Sequence, residues 1–253
     1  MAPERDARSR PVAVVTGASR GIGAAVASGL TAAGYDLLLT YATRREAAEA
    51  VAADCRRRGA RVHLFAGDLG QPNTPAELFE ELDRSFGGLA LLVNNAGYLP
   101  PPAPVAAIDT DRATRTFAVN AVAPLQCARE AIRRMLPHQS GVIINVSSRA
   151  SVRGAAGEFV DYAMSKAAVD ALTIGLAAEV AGQGIRVNGV RPGLIDTEMN
   201  WRPEQPDRLA RLMSTVPLGR AGTAVEVAGA ICWLASEHSS YITGVTLDVS
   251  GGR

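Results

Sequence analysis

The sequence is short of the residue types that build disulfide frameworks, metal centres and polyanion-binding surfaces. Its three cysteines, Cys55, Cys127 and Cys232, are odd in number and far apart in 253 residues. That excludes a disulfide scaffold and points to reduced thiols in a cytoplasmic setting. The three histidines, His63, His138 and His238, cluster with nothing, so no metal site is expected. Basic and acidic side chains nearly cancel, 26 against 25, which argues against nucleic acid or an anionic membrane as partner. No apolar run reaches the ~18 residues of a membrane span. Residues 1–10, MAPERDARSR, lack the apolar core of a secretory signal and read as a flexible tail.

Lysine is scarcest of all. It occurs once, at Lys166, in a chain whose other 25 basic residues are arginine. It stands four residues after Tyr162 in the segment Tyr162-Ala-Met-Ser-Lys166. On a helix, that spacing puts the two side chains on one face with Cβ atoms about 5–6 Å apart. An ammonium beside a phenol favours the phenolate and lowers the tyrosine pKa from its usual value of about 10. Arginine, flat and delocalised, is a different donor. Composition alone leaves open a lysine that survived by chance.

What is present in quantity is an alternation of apolar strands and amphipathic helices without a break in composition, which predicts one α/β domain over 11–253. Pro11–Thr16 reads as a strand buried on both faces, followed directly by Gly17-Ala-Ser-Arg-Gly21-Ile-Gly23 and a helix. Strand, glycine turn, helix is the context in which glycines let backbone approach a pyrophosphate at a helix N-terminus. The spacing is G-x3-G-x-G, a departure from the usual fingerprint. The next strand, Asp36–Tyr41, leaves toward Tyr41, Ala42, Thr43, Arg44 and Arg45, with Asp36 at its entering end. A missing acid beside guanidinium groups, Arg20 among them, favours a 2′-phosphate and hence NADP(H) over NAD(H). A solvated helix start at Arg44 and Arg45 is the plainer alternative.

Further strands are expected at Arg61–Ala66, Leu89–Val93, Gly141–Val146, Ile185–Val190 and Val245–Val249. Asp68 either accepts from an adenine or caps a turn, and Asn94 reads as structural. A long helix over Asp111–Leu136 contains Pro124, which denies the carbonyl of Asn120 its helical partner and leaves it for a water. Ser148 lies at a strand's carboxyl edge, where open parallel sheets bind ligands, and Ser147 points the other way. Tyr162–Gln183 is a further helix with a small face at Ala167, Ala171 and Ala178. The polar, proline-punctuated stretch 198–218, with a short helix near Asp207–Met213, reads as a substrate lid.

Together TGASRGIG at 16–23, NNAG at 94–97, Asn120, Ser148, YAMSK at 162–166 and PG at 192–193 resemble the classical short-chain dehydrogenase/reductase family, NADP(H)-preferring type. The resemblance spans about 11–252. It implies a Rossmann-like, doubly wound sheet of about seven mostly parallel strands with helices on both faces. It also implies reversible reduction of a ketone to a secondary alcohol. By that resemblance Tyr162 is the general acid/base, and Ser148 holds the substrate oxygen. Lys166 binds the nicotinamide ribose and lowers the tyrosine pKa, and Asn120 holds a relay water. The implied cofactor wall comprises Gly17, Ser19, Arg20, Gly21, Ile22, Gly23, Tyr41, Ala42, Thr43, Arg44, Asp68, Leu69, Asn95, Ala96, Gly97, Tyr162, Lys166, Pro192, Gly193, Ile195 and Thr197. A small-molecule carbonyl or alcohol is the expected substrate, and a homotetramer or dimer the expected assembly. Ser148 to Tyr162 is fourteen positions, one more than the family's usual interval, which bears on the loop between them. A non-catalytic nucleotide-binding protein and a dehydratase or epimerase are the competing readings.

Overall fold

Among the described residues, short runs of valine, leucine and isoleucine become seven strands. The computed structural model describes residues 10–199 and 207–253. Its first half runs β1 (Val12–Val15), α1 (Gly21–Ala32), β2 (Asp36–Tyr41), α2 (Arg45–Arg57), β3 (Val62–Ala66), α3 (Thr74–Ser85) and β4 (Leu91–Asn94). Then come α4 (Thr110–Phe117), α5 (Ala123–Met135), β5 (Gly141–Val146), α6 (Ala150–Arg153) and α7 (Val160–Val180). The described chain ends with β6 (Ile185–Pro192), α8 (Arg208–Met213), α9 (Ala224–Ala235) and β7 (Thr246–Val249).

All seven strands are parallel, in the order β3-β2-β1-β4-β5-β6-β7. The order reverses between β1 and β4, the switch point where such sheets open a crevice. Alternation along each strand sends residues to two separate cores. Ala13, Val15, Leu37 and Leu39 pack with Val26 and Leu30 of α1 and Ile231 and Leu234 of α9. Val12, Val14, Leu38 and Leu92 pack with Leu78 and Phe79 of α3, Met135 of α5 and Val180 of α7. Helices on both faces explain why the strands read as unbroken apolar runs. The small residues Ala167, Ala171 and Ala178 of α7 face outward.

Two details differ from the sequence reading. The helix expected over 111–136 is two helices joined by a π turn at Ala118–Val122, where the amide of Ala123 reaches back to Ala118 O. Pro124 thus sits in the first turn of α5, where its missing N–H costs nothing. Asn94, as expected, is structural: its amide donates to Pro124 O at 3.2 Å and to Asn145 Oδ1 at 2.9 Å, tying the break to β4 and β5. Arg10 is no part of a loose tail. Its guanidinium donates to Gly34 O at 3.0 Å, to Thr31 O at 3.1 Å and to Gly59 O. Residues 1–9 of the expected tail and 200–206 of the expected lid lie outside the described residues. The segments flanking 198–218 are joined to each other: Asp196 N donates to Gly222 O at 2.8 Å, and Gly222 N to Leu194 O at 2.9 Å. No helix among the described residues is long and apolar enough to cross a membrane.

Candidate active site

The carboxyl ends of β1, β2, β4, β5 and β6 open into one cavity of about 620 Å³. Every residue that the sequence reading assigned to a cofactor lines it, as do Ser148, Tyr162 and Lys166. Asn120 does not.

At the inner end, Gly17 and Gly21 adopt left-handed φ of 66° and 53°, conformations a side chain would strain. A Cβ on Gly17 would lie 2.9 Å from Ala96 Cα, so the β1 and β4 exits approach only because it is glycine. The loop is then locked. Asn95 Nδ2 donates to Thr16 O at 2.8 Å and Gly17 O at 3.0 Å, while Thr16 Oγ1 accepts from the amides of Asn95 and Ala96 at 2.9 Å each. Asn95 therefore shapes the wall with an amide already committed. No side chain caps the N-terminus of α1, leaving its first N–H groups aimed at whatever anion enters. These features fit a dinucleotide pyrophosphate.

Beyond β2 the same cavity holds a cationic fork. Arg20 Nη1 and Arg44 Nη1 both contact Glu198 Oε2 at 2.7 Å. One carboxylate oxygen thus sits between the two guanidiniums, and they hold the Glu198 carboxyl below its usual pKa range. The sequence reading missed Glu198, since 178 and 154 residues separate it from its partners. Asp36 lies at the opposite end of β2, where it accepts from Arg61 N at 2.8 Å. Asp68 caps its turn through Gly70 N at 3.0 Å and pairs with Arg115 at 2.8 Å.

The chemistry-bearing side chains meet where β5 and α7 face each other. Tyr162 and Lys166 lie one turn apart on α7, with Lys166 Nζ 5.9 Å from the phenol ring centroid. The ammonium donates to Val146 O at 2.8 Å. Burial pulls the lysine down to about 8, opposed by the Asp170 charge. Ser148 lies within hydrogen-bonding reach of the phenol, whereas Ser147 turns inward and donates to Lys166 O at 3.0 Å. The two hydroxyls thus point different ways, although both residues line the cavity. The expected lowering of the Tyr162 pKa is not found. Burial raises it, while the Ser148 hydroxyl and the Arg208 charge pull weakly the other way. Desolvation of the phenolate outweighs them.

Asn120 is fully buried. Its Oδ1 accepts from Tyr98 N at 2.7 Å, and its Nδ2 donates to Tyr98 O at 2.8 Å and Ser165 Oγ at 3.0 Å. The side chain clamps the β4 exit to α7 one residue before Lys166. A water-holding role falls to its main chain alone.

Between Ser148 and Tyr162 the chain after α6 turns tightly, with Gly154, Ala155 and Gly157 all at left-handed φ, 77°, 47° and 76°. This loop brings Arg153 and Glu158 to the cavity, and α8 brings Arg208 and Arg211. Arg253 joins them from beyond β7. The sequence reading named none of these arginines as site residues, because arginine is the chain's default cation and offers no contrast.

Comparison with known proteins places the chain in company. The family described as Enoyl-(Acyl carrier protein) reductase matches residues 17–253. An uncharacterized oxidoreductase, YgfF of Escherichia coli, is 43% identical over 245 residues, covering 96% of this chain and 99% of that one. A short-chain dehydrogenase/reductase from Serratia marcescens has a similar structure, with TM-score 0.89, 36% identity, and 96% and 97% of the two chains covered. So does a blue fluorescent protein from a metagenomic library in complex with NADPH, with TM-score 0.89, 33% identity, and 96% and 97% covered.

Proposed function

The chain belongs to the short-chain dehydrogenase/reductase family, and from that premise we propose that it reduces a ketone to a secondary alcohol with NADPH, reversibly. The observation that carries this reading is the meeting of Ser148, Tyr162 and Lys166 in one cavity with the glycine loop. NADPH, when bound, supplies the hydride. The glycine loop and the first turn of α1 hold its pyrophosphate, and Pro192, Gly193, Ile195 and Thr197 close the far wall. Arg20 and Arg44 take the 2′-phosphate. In support, they already grip an anionic oxygen, that of Glu198.

Tyr162 gives its proton to the substrate oxygen, and Ser148 donates a hydrogen bond to the same atom, stabilising the charge that develops there. The raised phenol pKa suits this direction, since the acid is fully protonated at neutral pH. Lys166, whose pKa near 8 keeps it mostly charged at pH 7, binds the nicotinamide ribose. With the ribose in place it stands beside the phenol and stabilises the phenolate left after proton transfer. The main chain of Asn120 holds the water that returns the proton.

The test is an assay with an activated ketone. NADPH is expected to be oxidised far faster than NADH, and equal rates would remove the 2′-phosphate argument. Tyr162→Phe is expected to bind NADPH and lose turnover; activity within about tenfold of the parent would remove the tyrosine from the acid's role. A second reading, reduction of a carbon–carbon double bond, is favoured by the description of the matched family. An enoyl thioester in the same assay separates it from the first.

A further inference from the structure

The substrate end of the cavity carries more positive charge than its fold uses. Arg149 is committed: its Nη1 contacts Asp248 at 2.6 Å and its Nε donates to Arg253 O at 2.7 Å. Asp248 is shared with Arg191 at 3.5 Å. Glu158 is also committed, contacting Arg211 at 2.9 Å and Arg208 at 3.5 Å. Among the described residues no carboxylate forms an ion pair with Arg153 or with the Arg253 side chain, and Arg253 Nε is buried with no hydrogen-bond partner. Burial depresses the Arg253 pKa, and the charges of Arg153, Arg208 and Arg149 depress it further, against the opposing charge of Glu158. Guanidiniums do not deprotonate near neutrality, so the part of their mutual repulsion that Glu158 and Asp248 do not offset is borne by the fold.

The cofactor's own phosphates are met elsewhere, at the glycine loop and at Arg20 and Arg44. Arg208, whose guanidinium lies 5.1 Å over the Phe159 ring, acts electrostatically on both Tyr162 and Arg253. The cationic wall therefore borders the proton donor. We propose that the carbonyl substrate is itself an anion, bearing a carboxylate or a phosphate that Arg153 and Arg253 hold while its ketone faces Ser148 and Tyr162. This rests on the reductase reading and deepens it to a substrate class. A planar carboxylate or a phosphate face offers the paired oxygens that a guanidinium fork binds.

Two matched pairs test it with NADPH: levulinate against its methyl ester, and dihydroxyacetone phosphate against dihydroxyacetone. In the wild type the anion of at least one pair is expected to have the higher kcat/KM, by about tenfold or more. Which pair shows it tells carboxylate from phosphate. The ratio is expected to fall by about tenfold in Arg153→Gln/Arg253→Gln. The KM of the favoured anion is expected to rise in about 0.5 M KCl, where charges are screened. Neutral members reduced as well as the anions, or a preference unchanged in the double variant, overturns the anion inference and leaves the reductase reading standing. No turnover of these four, of a broad ketone panel or of oxoacyl thioesters with either cofactor overturns both.

Discussion

Lys166→Met exposes what the fold tolerates to keep a charge where it is needed. Lys166 is 4% exposed, and burial lowers its pKa from 10.5 to about 8. That difference makes the ammonium about 3 kcal/mol less favourable in the folded chain than in the unfolded one at pH 7. The sign follows from proton counting. Between pH 8 and 10.5 the unfolded chain holds a proton that the folded chain has released, so wild-type stability rises with pH through this window. Methionine removes the titration while keeping most of the volume. It also leaves Val146 O without its donor, a loss of about 1–3 kcal/mol. At pH 7 the two effects oppose, and the variant is expected to be at least as stable as the parent. From pH 7 to pH 10 the parent should gain about 2–3 kcal/mol on the variant. Urea unfolding of both proteins by circular dichroism at pH 7, 8, 9 and 10 measures this, because every other titrating group cancels in the difference. A stability difference that stays flat from pH 7 to pH 10 would refute the claim that Lys166 is a desolvated charge.

Three other perturbations probe separate parts of the site. Glu198→Gln removes the carboxylate from the Arg20–Arg44 fork and should tighten NADPH more than NADH, read by fluorescence titration with both cofactors. Gly23→Ala would place a Cβ 2.6 Å from Asn95 Nδ2 and closer still to Gly17 O; a loss of about 2–3 kcal/mol in unfolding free energy and weakened NADPH binding are expected. Asn120→Ala deletes three hydrogen bonds, one buried and two part-buried, and leaves Tyr98 N without its Asn120 partner. It should cost about 2–4 kcal/mol by urea titration, with cofactor affinity falling as the β4 exit loosens.

Much of the fold was legible because parallel strands buried on both faces advertise themselves as apolar runs, and glycines at Gly17, Gly21 and Gly23 mark where backbone must turn and approach. The cavity wall was legible for a related reason: in such a sheet the strand ends converge, so naming them names the site. Register and charge were harder to see. Pro124 marked a lost hydrogen bond at Asn120 within an expected single helix, yet the π turn that splits that helix and the Asn94–Pro124 bond that seats it depend on which strand lies opposite. Arg10 reads as tail by composition and is anchored by carbonyls of Thr31, Gly34 and Gly59 that only folding brings together.

The sequence by itself determined the order of elements, the glycine loop, and the spacing that sets Ser148, Tyr162 and Lys166 at one edge, because these follow from local periodicity and backbone sterics. Tertiary structure alone decided the electrostatics. Whether the lysine lowers the phenol or burial raises it depends on how much water the surrounding chain removes, and burial prevails at Tyr162. Which arginines are neutralised depends on carboxylates far away in sequence: Glu198 closes one fork, while Arg153 and Arg253 meet none among the described residues. Charge acts through space and solvent, and neither is written along the chain.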